Sequence, residues 1–182
     1  MGVEAVDAGR FLAARDELVD VYRAVFCAPP WSEPPERATA FADRLESDTA
    51  QAGFAATWAW AGASLAGFAY GFTTAHPFPD HGCYRGVRAG LGPDVDRLSG
   101  TFEVFELAVR PEHRGGGVGR ALLTALTAGR AAWLLTSVKI SEAVGFYEHL
   151  GWWRQSTTDD LVVFTNQPWL PGRRRATTAT LP

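Results

Sequence analysis

Cysteine is scarce in this 182-residue chain, which has only Cys27 and Cys83. Two are too few for a disulfide framework, and neither lies in a CxxC or a His-bearing ligand pattern. The reading is therefore of reduced thiols, no metal site and a cytoplasmic setting. An excess of one charge is also missing. Seventeen basic and 20 acidic side chains leave a net charge of −3, which gives no electrostatic reason to bind nucleic acid. The amino terminus, MGVEAVDAGR, lacks the basic and apolar stretches of a secretory signal, and Val6 stands where a myristoylation signal wants Ser or Thr. Residues 49–79 carry no Asp, Glu, Lys or Arg, yet they contain no uniform run of about 20 apolar residues such as a membrane span needs. Bulky and small residues alternate instead, with Phe54, Trp58 and Trp60 on one phase and Phe68, Tyr70 and Phe72 following. The Ala-Gly-Ala-Ser break at 61–64 makes this a two-stranded hairpin.

What remains is the composition of a globular domain, 47% hydrophobic and 20% charged, long enough to bury a core without staples. Residues 11–26 place Leu18, Tyr22 and Val25 at helical spacing before Pro29-Pro30, and a second helix carries Ala38, Phe41 and Leu45 on one stripe after Pro34 and Pro35. Residues 73–100, rich in Gly, Pro and His, read as a loop too long for an ordinary connection and hence as a candidate substrate loop. The stretch TFEVFELAVRP reads as a strand with a fault. Phe102 and Val104 define one apolar phase, whereas Phe105, Leu107 and Val109 define the other. A one-residue bulge would reconcile them and bring Glu103 and Glu106 to one face. Further on, helices are expected from about Val118 to Gly129 and over SEAVGFYEHL, with Ser141 as N-cap and Ala143, Phe146, Tyr147 and Leu150 as the inward stripe. Strands follow around AAWLLTSV, GWWRQ and DLVVFTN. Residues 1–166 form the expected domain, and 167–182, with Arg173, Arg174 and Arg175, a poorly ordered tail. The aromatic end of the chain, Phe164 and Trp169, is a candidate contact for a homodimer.

The most specific stretch is HRGGGVGRALL, with four glycines in five positions at the start of a helix. The first N–H groups of a helix lack internal partners and sit at its positive end, and glycines let an anion approach them, so a phosphate is the expected visitor. A Walker loop needs Lys-Ser/Thr after its last glycine, but Arg120-Ala121 follows Gly119. A dinucleotide fingerprint fails too, since the third glycine position falls on Arg120 or Leu122. The pattern Arg/Gln-x-x-Gly-x-Gly/Ala is met by Arg114, Gly117 and Gly119.

From Phe102 to Trp153 the sequence resembles the GNAT superfamily of acetyl-CoA-dependent N-acetyltransferases: a Glu-bearing bulged strand, a Val-x-Pro exit, the RGGGVG turn, an Ala/Leu-rich helix, a strand, and AVGFYEHLGW. The resemblance implies a single α/β domain with a mixed, twisted sheet flanked by helices and splayed into a V. It implies acetyl-CoA as cosubstrate, its pyrophosphate on the backbone of Gly115, Gly117, Val118 and Gly119 beside Arg114 and Arg120, and its pantetheine arm along the backbone of Leu107 and Val109. It implies transfer of the acetyl group to a primary amine of a small molecule or peptide, or else a catalytically silent acyl-CoA-binding module on the same scaffold. Glu103 or Glu106 is the candidate base. Tyr147 is the candidate general acid, or a packed core tyrosine. The resemblance departs at Ile140, where many relatives carry an Asn three residues before the Ala of the last motif.

Overall fold

The uncharged stretch folds as a hairpin, because Gly62 adopts the positive φ of 62° that its tight turn needs. In the computed structural model, which describes residues 2–168, it supplies strands β2 (Ala55–Ala61) and β3 (Ser64–Thr73). Among the described residues no helix is long and apolar enough to cross a membrane. The other strands are β1 (Val3–Val6), β4 (Phe102–Val109), β5 (Ala132–Ser137), β6 (Trp153–Thr157) and β7 (Leu161–Thr165). They form one sheet of order β1-β2-β3-β4-β5-β7-β6, antiparallel except where β4 meets β5. That parallel pair holds only at Phe102 with Ala132 and Glu103 with Trp133, and beyond it the two strands diverge. The α/β architecture and the V-shaped splay are as expected.

Helices cover both faces. Helices α1 (Ala8–Ala13), α2 (Arg15–Phe26) and α3 (Glu36–Thr49) bury Phe11, Leu18, Phe41 and Leu45 against Phe68 and Tyr70 on one face. The expected single first helix is two. Asp7 caps α1 through its side chain, and the chain kinks at Ala14 before α2 begins. On the opposite face α5 (Val118–Leu126) buries Leu122, Leu123 and Leu126 against Ala59, Ala69 and Phe102, and α6 (Ser141–His149) packs Phe146, Tyr147 and Leu150 on the same cluster.

Three further expectations need correction. Residues 73–100 are not a bare loop: α4 (Tyr84–Leu91) and a 3-10 segment (Gly92–Leu98) bury Phe78, Val87, Val95 and Leu98 against Trp133 and Val163 in a small core of their own. Their apolar residues were hidden by the surrounding glycines and prolines. Ser141 is the first residue of α6, not its cap; Ile140 takes that position and makes no side-chain capping bond. Phe164 offers no dimer contact, because β7 lies between β5 and β6 and its Phe164 ring is fully buried. Trp169 and the tail with Arg173, Arg174 and Arg175 lie outside the described residues.

Candidate active site

Divergence of β4 from β5 opens a cavity of about 510 Å³ that reaches both faces of the sheet. Leu107 and Val109 form its strand wall. The turn and first residues of α5 (Arg114, Gly115, Gly117, Val118, Gly119 and Arg120) form one end, and α6 contributes Ala143, Phe146 and Tyr147. From the other face, Val25, Pro30 and Trp31 of α2 and its exit close the cavity. All eight residues singled out for cofactor binding therefore share one cavity with Tyr147. Val25, Pro30 and Trp31 were not anticipated. Nothing in their spacing marks them, since they reach the site only through the packing of α2 on the sheet. Ile140, where relatives carry Asn, also lines the cavity and gives it an apolar wall.

Gly117 explains the local shape of the turn. It is the N-cap of α5 at φ 82°, a left-handed conformation that costs an L-residue about 1–2 kcal/mol. Ala121 N donates to Gly117 O at 3.0 Å, so the amides of Val118, Gly119 and Arg120 precede the first intrahelical bond. These residues line one end of the cavity at the positive end of the helix dipole, a setting suited to a phosphate.

The strand fault is a bulge. Tyr70 pairs with Glu106 and Gly71 with Val104, leaving Phe105 as the extra residue. A Cβ on Gly71 would collide with the Glu103 carbonyl, so glycine is needed opposite the bulge. Phe105 does not join Leu107 and Val109. It turns to the α1–α3 face, where its ring meets Phe72 at 4.8 Å and Tyr70 at 5.9 Å.

Glu103 and Glu106 share that face in different surroundings, and neither is part of the cavity lining. Glu103 is 2% exposed beneath α4, where Tyr84 Oη donates to its Oε2 at 2.9 Å. Burial pushes its carboxyl up to about 8, against the lowering effect of the Tyr84 hydrogen bond. Glu106, half-buried, accepts a short hydrogen bond from Arg44 of α3. Burial pushes it up to about 7, and the Arg44 charge restrains the rise. Tyr147, half-buried on α6, packs on Phe146, Phe164 and Trp152 at ring distances of 5.2, 5.7 and 6.1 Å. Burial, then the Glu106 charge, pushes its phenol well above the usual range.

Glu103 yields a test independent of chemistry. Its folded pKa is raised, so the folded state holds the proton more tightly. The resulting stabilisation is complete below about pH 4.5 and is lost as pH rises through about 8. Glu103→Gln keeps an acceptor for Tyr84 and removes the titration. Its unfolding free energy minus that of wild type is expected to grow by a few kcal/mol between pH 5 and 8, read by denaturant melts. A flat difference would rule out a buried, proton-holding Glu103.

An acetyltransferase (GNAT) domain matches residues 65–154. No curated protein sequence matches the chain. Among solved structures, the chain is similar to the PaiA N-acetyltransferase of Thermoplasma acidophilum in complex with coenzyme A (TM-score 0.62, 14% identity, covering 91% of this chain and 98% of that one). It is similar to an acetyltransferase of Thermus thermophilus (TM-score 0.61, 15% identity, 91% and 96%) and to an aminoglycoside 6'-acetyltransferase type Ii (TM-score 0.59, 18% identity, 91% and 96%).

Proposed function

Because the chain belongs to the GNAT superfamily of acetyltransferases, we propose that it transfers an acetyl group from acetyl-CoA to a primary amine of a small molecule or peptide, with residues 1–166 as the working domain. The observation that carries this reading is the cavity through the sheet, which joins the glycine turn, the β4 edge and Tyr147. The amides around Gly115, Gly117, Val118 and Gly119 bind the pyrophosphate, and the Arg114 and Arg120 guanidiniums add charge. The backbone of Leu107 and Val109 bonds the pantetheine arm where β5 has turned away. Acetyl-CoA supplies the thioester; the chain's own residues supply position and proton handling. The acceptor enters from the Trp31 side, the face on which Glu106 lies.

Transfer forms a nitrogen–carbon bond and breaks a carbon–sulfur bond. The amine must lose a proton, although an alkylamine resembling lysine holds it with a pKa of about 10. Glu106 takes that proton, directly or through one water, since its carboxylate titrates near working pH. Glu103 is too enclosed to reach the acceptor and serves the core beneath α4. Tyr147 donates to the departing sulfur.

The test is a thermal-shift titration with acetyl-CoA, followed by thiol release with putrescine, kanamycin and a lysine-bearing peptide. Acetyl-CoA at 100 times its Kd is expected to stabilise the protein by about 2.7 kcal/mol, and at least one amine to release thiol. Stabilisation without thiol release from any amine would favour the silent binding module. Gly117→Ala is expected to raise the Kd for acetyl-CoA about tenfold by calorimetry, because a Cβ at φ 82° costs about 1–2 kcal/mol that a relaxed turn avoids by misaiming its amides. Gly116→Ala, with no positive φ and open space around its Cβ, should change the Kd little. Equal affinities in the two variants would remove the turn from the binding site.

A further inference from the structure

Arg44 is a cation held between two carboxylates and three aromatic rings. Its Nε lies 3.2 Å from Asp48 Oδ2, its Nη2 donates to Glu106 Oε1, and its side chain is 26% exposed. Its guanidinium carbon lies 5.2 Å from the Phe41 ring centroid, 5.4 Å from that of Phe105 and 5.9 Å from that of Tyr22. Asp48, itself buried, accepts a hydrogen bond from the fully buried Tyr70 at 2.8 Å. A chain of contacts thus runs from Tyr70 in the core, through Asp48 and Arg44, to the bulge.

Stability alone does not account for such a chain. Burying a cation with two carboxylates carries a desolvation cost that apolar residues of similar volume avoid. The network ends at Glu106, the residue after the bulged Phe105 of β4 and one residue from the cavity wall at Leu107. We infer that Arg44 is a positioning residue for the transfer reaction: it fixes the Glu106 carboxylate in one orientation at the bulge, and Asp48 and Tyr70 fix Arg44 in turn. This rests on the reading of Glu106 as the base. Arg44 takes Oε1, which leaves Oε2 as the proton-accepting atom.

The groups that act on Glu106 come from every side: Arg44 and Asp48 from α3, Tyr22 from α2, Glu33 from the segment after it, Tyr70 from β3 and Tyr147 from α6. Arg44 is the cation among them. Its removal leaves Asp48 and Glu33 acting unopposed, so Glu106 must hold its proton to higher pH.

The experiment follows the Glu106 carboxyl directly by carbon-13 NMR titration in wild type, Arg44→Gln and Arg44→Lys, with the resonance assigned from Glu106→Gln. The Glu106 midpoint is expected to rise by about one to three pH units in Arg44→Gln and to return most of the way in Arg44→Lys. The acid limb of kcat/KM, measured with whichever of putrescine, kanamycin or the lysine-bearing peptide turns over fastest, should move in the same direction. Turnover at pH 7 should fall more than tenfold in Arg44→Gln. If Arg44→Gln does not fold, Tyr70→Phe loosens Asp48 without removing a charge and should move midpoint and limb upward by less. A lowered melting temperature with an unmoved Glu106 midpoint means that Arg44 only holds the fold, and overturns its role alone. Full turnover in Glu106→Gln overturns the base and its positioning residue together.

Discussion

Tyr147→Phe is expected to lower turnover by about 10²–10³-fold while leaving the melting temperature and acetyl-CoA affinity near wild type. The ring packs on Phe146, Phe164 and Trp152, and Phe keeps every one of those contacts. Only the hydroxyl goes. That hydroxyl keeps its proton at any working pH, because burial and the Glu106 charge push the phenol well above its usual range. A thiol resembling cysteine has a pKa of about 8.5, so complete transfer from such a phenol is uphill. Its contribution is a hydrogen bond to charge that develops on sulfur, and removing one such donor elsewhere costs about 10²–10³-fold. Thiol-release kinetics under saturating acetyl-CoA, with melting curves and calorimetry alongside, decide it. Wild-type turnover in Tyr147→Phe would make this residue a wall of the cavity and no more.

Glu106→Gln is expected to cost about 10²–10⁴-fold in kcat/KM above pH 8 and to abolish the acid limb near pH 7. The sign follows from the raised value: at about 7, the proton-accepting form is the majority above pH 7 and the minority below it, so wild-type kcat/KM falls toward acid. Gln is nearly isosteric and still offers Arg44 an acceptor oxygen, so the fold should survive. The pH profile from 5.5 to 9 reads the effect. An acid limb that persists unchanged in Glu106→Gln would assign it to another group and return Glu106 to a purely structural part.

Much of this was legible from local pattern. The glycine turn, its helix, the inward stripes of α2, α3 and α5 and the uncharged hairpin each have a period or turn chemistry of their own. The bulge was legible too, as a clash of apolar phases, but the direction of Phe105 was not. Pattern alone counts Phe105 with Leu107, whereas the extra residue turns to meet Phe72 across the strand. The site's charge logic was the part least open to reading. Arg44 and Glu106 are 62 residues apart, and no spacing rule links a residue on α3 to one on β4. Trp31 behaves likewise, reaching the cavity only once α2 has docked. The core beneath α4 was missed because glycine and proline dominated the composition of 73–100, although Tyr84, Val87 and Leu91 follow a helical repeat there.

The two residue pairs that join β4 to β5 also make the sheet a pair of panels with a narrow seam. One panel comprises β1 to β4, the other β5, β7 and β6, and although apolar side chains cross the seam, few backbone bonds do. Amides of β4 that point toward the gap should therefore exchange with deuterium far sooner than those bonded to β3. A ligand arm lying along Leu107 and Val109 would act as a splint between the panels. Its arrival should slow that exchange and sharpen the melting transition, joining two partly independent units into one cooperative block.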